Sequence, residues 1–298
     1  MTNRDTFSGY HPTVNLLYFA LVLSFSMFFM HPVCLVVSLV CALSYNIYLG
    51  GRKAVRFSLL YMLPLMLLTM VINPAFNHEG MTILAYLPSG NPLTLESITY
   101  GIASAAMLVA VVVWFSCFST VVTSDKFVYL FGRIIPSMSL VLSMTLRFVP
   151  LFRSQIKVVS EAQRCIGRDG SKGGVISRAG YGIRILSIVV TWSLENAIET
   201  ADSMKSRGFG LKGRTSFANY RFDKRDVKAL CFLFGCTAYI LVGRFKGALD
   251  WHYFPSMTGT PDQVYLATVL ATYMALCLMP VIVNIREDRK WIRLRSAI

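Results

Sequence analysis

Seven cysteines and four histidines are the residues of this sequence best suited to metal binding or nucleophilic chemistry. A metal site would need them at short, regular spacings such as CxxC, and no such pair occurs. Six of the cysteines lie in apolar stretches, where a free cysteine is usually a small core residue. We therefore predict neither a metal site nor a cofactor. These six are Cys34, Cys41, Cys117, Cys231, Cys236 and Cys277.

The glycine-rich segment 167–174 is the candidate for a phosphate-binding loop. It lacks the Gly-Lys-Ser/Thr ending that places a lysine and a hydroxyl on phosphates and magnesium, so we predict a turn there. The GxSxG and HExxH motifs and an aspartate-rich magnesium site are also absent from the sequence. The chain is therefore not predicted to be an enzyme by itself. If it takes part in ATP-driven transport, the ATPase must be another chain.

The elements that carry these residues are predicted to lie in a membrane. Apolar residues make up 55% of the 298 residues and charged residues only 15%, with a mean hydropathy of +0.55. Several stretches free of formal charge can hold a span of about 20 residues. We predict six spans, with no cleaved signal peptide before the first. They lie near Val14–Met30, Val33–Tyr48, Phe57–Asn73, Ile98–Val122, Val227–Gly243 and Val264–Asn284.

The orientation of the spans follows from the basic residues in short loops. Arg52, Lys53 and Arg56 crowd the connection after the second span, which predicts that this loop is cytoplasmic. With six spans, the N-terminus, region 123–226 and the basic C-terminal tail then share the cytoplasmic side. The predicted location is the cell membrane, crossed several times.

Region 123–226 and the two residues that follow it carry most of the net charge. Between Thr123 and Lys228 there are 18 Lys/Arg and 8 Asp/Glu, which accounts for +10 of the net +14. The apolar residues between them recur at helical spacing. We predict an all-α protein, a polytopic helical bundle with long helices in a cytoplasmic or interfacial domain. Its parts are a membrane domain 1–122, this helical domain at 123–226, and a second membrane part 227–298.

Three helices are predicted within 123–226. They lie near Asp125–Arg133, from Ser137 to about Ile166 with a kink at Pro150, and from Ser177 or Tyr181 to Arg207. The basic charge has a general explanation in membrane topology and attraction to anionic lipid. Nucleic-acid binding is not predicted, because the charge lies along apolar helices anchored in a membrane.

The residues alone leave two classes of function open: a secondary transporter acting by itself, and a membrane scaffold. The predicted spans contain no proton or sodium relay, because they hold essentially no ionisable residue. Glu96, at the start of the fourth span, is interpreted as a helix cap.

Four segments resemble a known family, the transmembrane T component of energy-coupling factor transporters. The most specific is Ala201–Gly210, which resembles the family's second short arginine motif. Leu146–Pro150, followed by Glu161, Ala162 and Gln163, is similar to its second coupling helix. The other two segments are His11–Phe19 and Asn91–Gly101.

The resemblance implies a membrane bundle with crossed cytoplasmic coupling helices. Each coupling helix would end in a small-Arg-small motif that docks on one of two ATPase subunits. A separate substrate-binding S component would pack against the chain and select a vitamin or a metal ion such as cobalt or nickel. In this sequence Ser206, Arg207 and Gly208 match the second motif, and the arginine fork between two small residues suits a groove with acidic residues.

The first motif departs from the family pattern. Cys165, Ile166 and Gly167 stand where relatives carry small-Arg-Gly, and Arg164 and Arg168 flank them. Two alternatives remain: an apolar contact through Ile166, or a contact through one of the flanking arginines.

Other residues of the coupling helices carry weaker expectations. Arg147, Pro150, Glu161 and Gln163 belong to the segment that resembles the second coupling helix. Glu195, Glu199 and Asp202 follow at spacings of four and three and form one acidic face, either solvated or in contact with arginines of the partners.

Overall fold

The structure is a computed structural model that describes residues 5–86, 92–167, 174–211, 220–259 and 263–296. Helices form nearly all of its regular structure, which confirms the predicted all-α class. The chain divides into two compact units, the first Met1–Thr123 with Tyr220–Ile298 and the second Ser124–Asn219. The helices are α1 (Pro12–Phe28), α2 (Pro32–Gly50), α3 (Arg52–Phe57), α4 (Leu63–Phe76), α5 (Leu95–Val121), α6 (Ser124–Ile134), α7 (Pro136–Cys165), α8 (Val175–Ser206), α9 (Lys224–Phe245) and α10 (Gln263–Ser296).

The first two helices of the first unit both begin at a proline. Proline suits the first helical position because the N–H that it lacks would have no partner there, and its fixed φ fits a helix. After α2 the chain turns at Gly51, whose φ of 54° is accessible to glycine without steric cost.

The third apolar stretch forms one helical run from Arg52 to Phe76. A π-helical turn at Ser58–Met62 joins α3 to α4. The predicted span, Phe57–Asn73, is shorter at both ends, because the helix also includes the basic residues that precede it and continues through Pro74 to Phe76. Gly101 of α5 packs against this run, since a Cβ at Gly101 would lie 3.0 Å from the carbonyl oxygen of Met70. Small residues allow such close helix approach in membranes.

A two-stranded antiparallel hairpin precedes α5. Together with an isolated bridge between His252 and Thr258, it forms the β-structure of the described residues. Its strands are β1 (Ile83–Tyr86) and β2 (Pro92–Thr94). Thr94 caps α5, because its side chain accepts a hydrogen bond from the Ser97 amide at 3.3 Å. Glu96 is buried and accepts hydrogen bonds from the amide and, at 2.7 Å, from the hydroxyl of Thr82. The carboxylate interpreted as a helix cap therefore fixes the segment that leads into the hairpin.

The core of the first unit is aromatic and contains a small polar cluster. The Trp114 indole is fully buried and lies edge-on to the ring of Tyr18 at 6.1 Å. Its N–H donates to the hydroxyl of Ser38 at 3.0 Å, and the Ser38 and Ser26 hydroxyls are 2.7 Å apart. Every polar group named here has a hydrogen-bond partner, as burial requires.

The second unit consists of α6, α7 and α8. The helix α7 continues through Pro150 as one element of 30 residues. The helix α8 begins at Val175, before the predicted start at Ser177 or Tyr181. Gly180 and Gly182 lie within it with open space around the position of a Cβ.

Six helical segments of the described chain are long and apolar enough to cross a membrane, and α1 is a shorter apolar helix. The chain is a multi-pass membrane protein. Five predicted spans correspond to α2, the run from Arg52 to Phe76, α5, α9 and α10, and the first corresponds to α1. The sixth segment is α8, which sequence analysis placed outside the lipid because its apolar stretch at 185–194 is short. It is the least apolar of the six and is interrupted by charged residues such as Arg184 and Glu195.

Candidate docking site at two helix ends

The residues of the second arginine motif form the C-terminal end of α8. Gly208 follows the helix with φ 76°, the left-handed conformation that glycine adopts most easily. Its amide donates to the carbonyl of Lys205 at 3.0 Å, and the Phe209 amide donates to that of Met204 at 3.0 Å. These two bonds define a Schellman motif, which satisfies carbonyls that the helix end leaves without partners. Arg207 therefore occupies the C-cap position.

The first motif ends α7 with nearly the same backbone geometry. Gly167 has φ 79° and its amide donates to the carbonyl of Arg164 at 3.0 Å. Ile166 occupies the C-cap with φ −86° and ψ 10°, compared with −84° and 11° for Arg207. The two motifs thus place an isoleucine and an arginine at equivalent positions.

Both C-cap side chains are exposed within the described chain. Ile166 has 69% of its surface exposed, and Arg207 and Ser206 are also exposed. The Ser206 hydroxyl donates back to the Ser203 carbonyl at 2.9 Å, so it stays close to its own helix. Of the flanking arginines, Arg164 is exposed in the last turn of α7, and Arg168 lies outside the described residues.

The two helices touch in one limited region. Val159 of α7 packs with Ile185 and Val189 of α8, and these three form a small buried cluster. On one side of the cluster the hydroxyls of Ser160 and Tyr181 are 3.0 Å apart. On the other side the rings of Phe152 and Trp192 meet edge-on at 6.2 Å.

These contacts give the direction of the two helices. Later residues of α7 face earlier residues of α8, so the helices run antiparallel where they touch. Ile166 lies six residues beyond Ser160, roughly 9 Å along α7, and Arg207 lies fifteen residues beyond Trp192, roughly 22 Å along α8. The two helix ends therefore lie on opposite sides of the contact.

The remaining predicted residues lie on the surfaces of the same two helices. Arg147 is exposed, with its guanidinium 5.7 Å from the ring centre of Phe148. Glu161 is exposed and 4.0 Å from Lys157, too loose and exposed a pair to contribute much stability. Pro150 is exposed, and Gln163 is half-buried.

The acidic face of α8 is accessible along its length. Glu195, Glu199 and Asp202 are all exposed, which agrees with a solvated face and leaves the carboxylates open to a partner. The choice between these two interpretations stays a prediction.

The described residues contain no group of three or more His, Cys, Asp or Glu side chains that could hold a metal ion. Of the six cysteines expected in the core, five are buried, but Cys231 is exposed because it faces outward from α9. Cys165, next to Ile166, is exposed as well.

One functional candidate that sequence reasoning missed is Asp226 at the start of α9. Its side chain is buried and accepts from the amides of His11 at 3.1 Å and Asp223 at 2.9 Å. It thereby attaches the N-terminal segment to α9, and with Asp223 it forms a capping box. The spacing Asp-x-x-Asp before an apolar run is close to the capping-box signature and could have identified it.

A second missed element is a polar network around Asp5. Its carboxylate accepts from the Asn284 amide group at 2.6 Å and from the Tyr45 hydroxyl at 3.1 Å. The Asn284 oxygen in turn accepts from the amide of Phe7 at 3.0 Å. Asn284 lies at the end of the predicted sixth span, and that position carries no recognisable sequence signal.

Comparison with known proteins returns one consistent group of relatives, while no family model matches the chain. The energy-coupling factor transporter transmembrane protein EcfT of Lactobacillus helveticus is 37% identical over 112 residues, 37% of this chain and 40% of that protein. The EcfT protein of Leuconostoc gelidum is 32% identical over 37% of this chain and 42% of its own length. EcfT 1 of Listeria monocytogenes is 30% identical over 36% of this chain and 40% of its own length.

The chain spans about two fifths of the length of the curated relatives that it matches. Over that stretch the comparisons confirm the resemblance that the sequence motifs predicted.

Proposed function

We propose, from this resemblance to EcfT proteins, that the chain is the transmembrane coupling component of an energy-coupling factor importer. It links ATP hydrolysis by two separate ATPase subunits to a substrate-binding S component that takes up a vitamin or a metal ion. The chain itself is a non-catalytic subunit of this assembly. The observation that carries the proposal is the equivalent geometry of the two helix ends, at Ile166 and Arg207.

The helix ends support two docking contacts with two partners. Each end presents one exposed side chain between a small residue and a left-handed glycine, so little bulk surrounds the side chain that would enter a groove. The ends lie on opposite sides of the contact between α7 and α8, so one partner does not need to receive both. An arginine at such a position can make paired hydrogen bonds to a carboxylate.

The composition of the second unit supports a role in binding partners. In the described part, only Val159, Ile185 and Val189 form its buried apolar cluster, while many large apolar side chains are exposed. Exposed apolar surface of this extent marks contact with lipid or with other proteins. Strongly exposed examples are Met138, Val158, Ile183, Leu194 and Ile198.

The proposed topology places the second unit, the N-terminus and the C-terminal tail on the cytoplasmic side. The argument is the excess of Lys and Arg in the second unit and the C-terminal tail compared with the segments 74–95 and 244–263, which hold only Arg244 and Lys246 as basic residues. The N-terminus shares their side because six spans separate the two termini. The charges within α8 favour a position outside the hydrocarbon, where a charged side chain is costly.

The proposal is tested by reconstitution in liposomes. The chain should be inactive alone and should support ATP-dependent uptake when combined with its co-expressed ATPases and a substrate-binding subunit. Uptake by the purified chain alone, driven by a proton or sodium gradient, would instead assign it to the secondary transporters. Failure of the complete set to assemble with this chain would contradict the coupling role.

A further inference from the structure

A groove of about 580 Å³ runs between α9 and α10 in the first unit. One end of the groove is basic, with Lys224 and Lys228 from α9 and Arg286 from α10. The other end is apolar, with Phe232 from α9 and Ala275 and Met279 from α10. No part of the proposed transport mechanism uses this groove.

The basic and apolar ends are separated by the direction of the two helices. Gly243 near the end of α9 packs against Val269 near the start of α10, so the helices are antiparallel. Along α9 the lining changes from Lys224 to Phe232 over roughly 12 Å, and along α10 from Arg286 to Ala275 over roughly 16 Å. The groove is therefore long enough for a charged group at one end and the first part of a hydrocarbon chain along the rest.

The cations of the groove lack acidic partners within the described residues. No carboxylate of that part of the chain lies within 4.0 Å of the charged nitrogens of Lys224, Lys228 or Arg286. Of the nearby acids, Asp226 accepts from backbone amides, and Glu287 makes only a loose contact of 4.0 Å with Lys290.

The fourth cation of the groove is already held by the protein. Arg225 lies 4.6 Å from the ring centre of Tyr10 and donates to the Gly9 carbonyl at 3.3 Å. It supports the basic end by fixing the N-terminal segment against α9, and it leaves the other three cations to a ligand.

We propose that this groove binds one anionic phospholipid. The headgroup phosphate binds Lys224, Lys228 and Arg286, and one acyl chain lies against Phe232, Met279 and Ala275. A phosphate accepts charge-assisted hydrogen bonds from all three cations, and basic pockets between membrane helices are suited to anionic headgroups. A free phosphate would leave the apolar end unused. A zwitterionic lipid carries its own cation beside the phosphate, so it would not reduce the net positive charge of the groove.

The proposal depends only on membrane insertion and not on the transport function. The full-length chain is reconstituted in phosphatidylcholine nanodiscs with a small fraction of phosphatidylglycerol that carries a diazirine in one acyl chain. Illumination followed by peptide mass spectrometry should place the label on the groove-lining turns of α9 and α10. The corresponding phosphatidylcholine probe should label these turns at least tenfold less.

Two variants separate the charge from the shape of the groove. Lys228→Gln with Arg286→Gln should reduce labelling by phosphatidylglycerol at least tenfold, whereas the matched control Arg52→Gln with Lys53→Gln should not change it. Ala275→Phe fills the apolar end without changing charge and should also reduce labelling. All variants are compared as monodisperse samples of equal helical content.

Four results would overturn the proposal. Equal labelling of the wild type and the double variant would show that the cations do not select the lipid. Equal labelling by both probes would show general exposure to lipid. Loss of labelling in millimolar inorganic phosphate would assign the site to a soluble anion. Absence of labelling with both probes would show that another part of the protein fills the groove.

Discussion

At the scale of single residues, two roles can explain an arginine at position 207: interaction with the helix dipole and a buried ion pair with a partner. The free energies of these two interactions differ in magnitude. A cation near a helix C-terminus interacts with the helix dipole, an effect of about 0.3–1 kcal/mol at an exposed site. Truncating one partner of a buried, hydrogen-bonded charge pair typically costs about 2–5 kcal/mol. Lys205 lies in the same last turn of α8 and is exposed, but it does not occupy the C-cap. It therefore serves as the control for the dipole effect.

We expect Arg207→Ala to weaken ATPase binding at least about tenfold, since tenfold corresponds to about 1.4 kcal/mol. Arg207→Glu should be worse, because it would place like charges together in an acidic groove. Lys205→Ala should change binding by no more than a few-fold. The measurement is co-purification of the ATPase subunits at equal membrane insertion, together with uptake. Wild-type assembly and uptake with Arg207→Glu would show that the docking role is wrong.

At the other helix end, the geometry favours Ile166 over Arg164 as the contact. Ile166 holds the C-cap position equivalent to that of Arg207, whereas Arg164 lies two residues earlier. Full burial of an isoleucine side chain contributes about 1.5–3 kcal/mol. We therefore expect Ile166→Ala to reduce ATPase co-purification about tenfold, and Arg164→Ala to leave it nearly unchanged. The reverse order would assign the contact to the arginine.

At the scale of elements, the pairing of α7 with α8 depends on few side chains. Ile185 is 8% exposed in the contact, while Ile183, two residues earlier, is 68% exposed on another face. The same substitution at the two positions therefore separates packing from helix propensity. Removing buried methylene groups costs about 2–5 kcal/mol for an isoleucine-to-alanine change.

We expect Ile185→Ala to loosen the helix pair and Ile183→Ala to have little effect. Hydrogen–deuterium exchange of backbone amides in α7 and α8 measures this directly. Exchange should rise in both helices around the contact for Ile185→Ala alone. Identical exchange in the two variants would mean that this contact does not hold α7 and α8 together.

A second prediction at this scale concerns the packing of α9 on α10. A Cβ at Gly243 would lie 2.7 Å from a methyl carbon of Val269, whereas a Cβ at Gly235 would meet nothing within 4 Å. Overpacking a close contact typically costs about 1–3 kcal/mol. Gly243→Val should therefore lower the thermal unfolding midpoint in detergent clearly more than Gly235→Val does. Equal shifts would show that the close approach is not important for stability.

At the scale of the whole molecule, the distribution of charge predicts which side of the membrane each segment faces. In a cysteine-free background, a cysteine in place of Ser171, which lies outside the described residues, should be protected from membrane-impermeant thiol reagents in intact cells. A cysteine in place of Glu79, which is exposed before the hairpin, should react. Labelling at position 171 from outside would invert the proposed topology.

Sequence reasoning succeeded where one local pattern decides the structure. Charge-free stretches located five of the six helical segments that are long and apolar enough to span, the sixth being α8. Gly167 and Gly208 marked helix ends because left-handed glycine residues commonly end helices. It failed where distant residues decide. Glu96 lies in the first turn of α5, as its interpretation as a helix cap requires, but its contact with Thr82, fourteen residues earlier across a hairpin, was not predicted. The resemblance implied that Ile166 stands at the position of the motif arginine, but the equal backbone angles of Ile166 and Arg207 could not be predicted from side chains that differ in chemistry.

The length of α10 has a mechanical consequence. Its 34 residues extend about 51 Å, whereas the hydrocarbon part of a membrane is about 30 Å thick. A helix of this length that crosses the membrane upright therefore extends roughly 20 Å beyond the hydrocarbon. Pro280 lies six residues before Arg286, where the charged part begins, and removes one backbone hydrogen bond of the helix. The helix is therefore least resistant to bending close to the membrane surface. A lateral force on the basic end of α10 would therefore bend the helix at Pro280 before it tilts the membrane-embedded part.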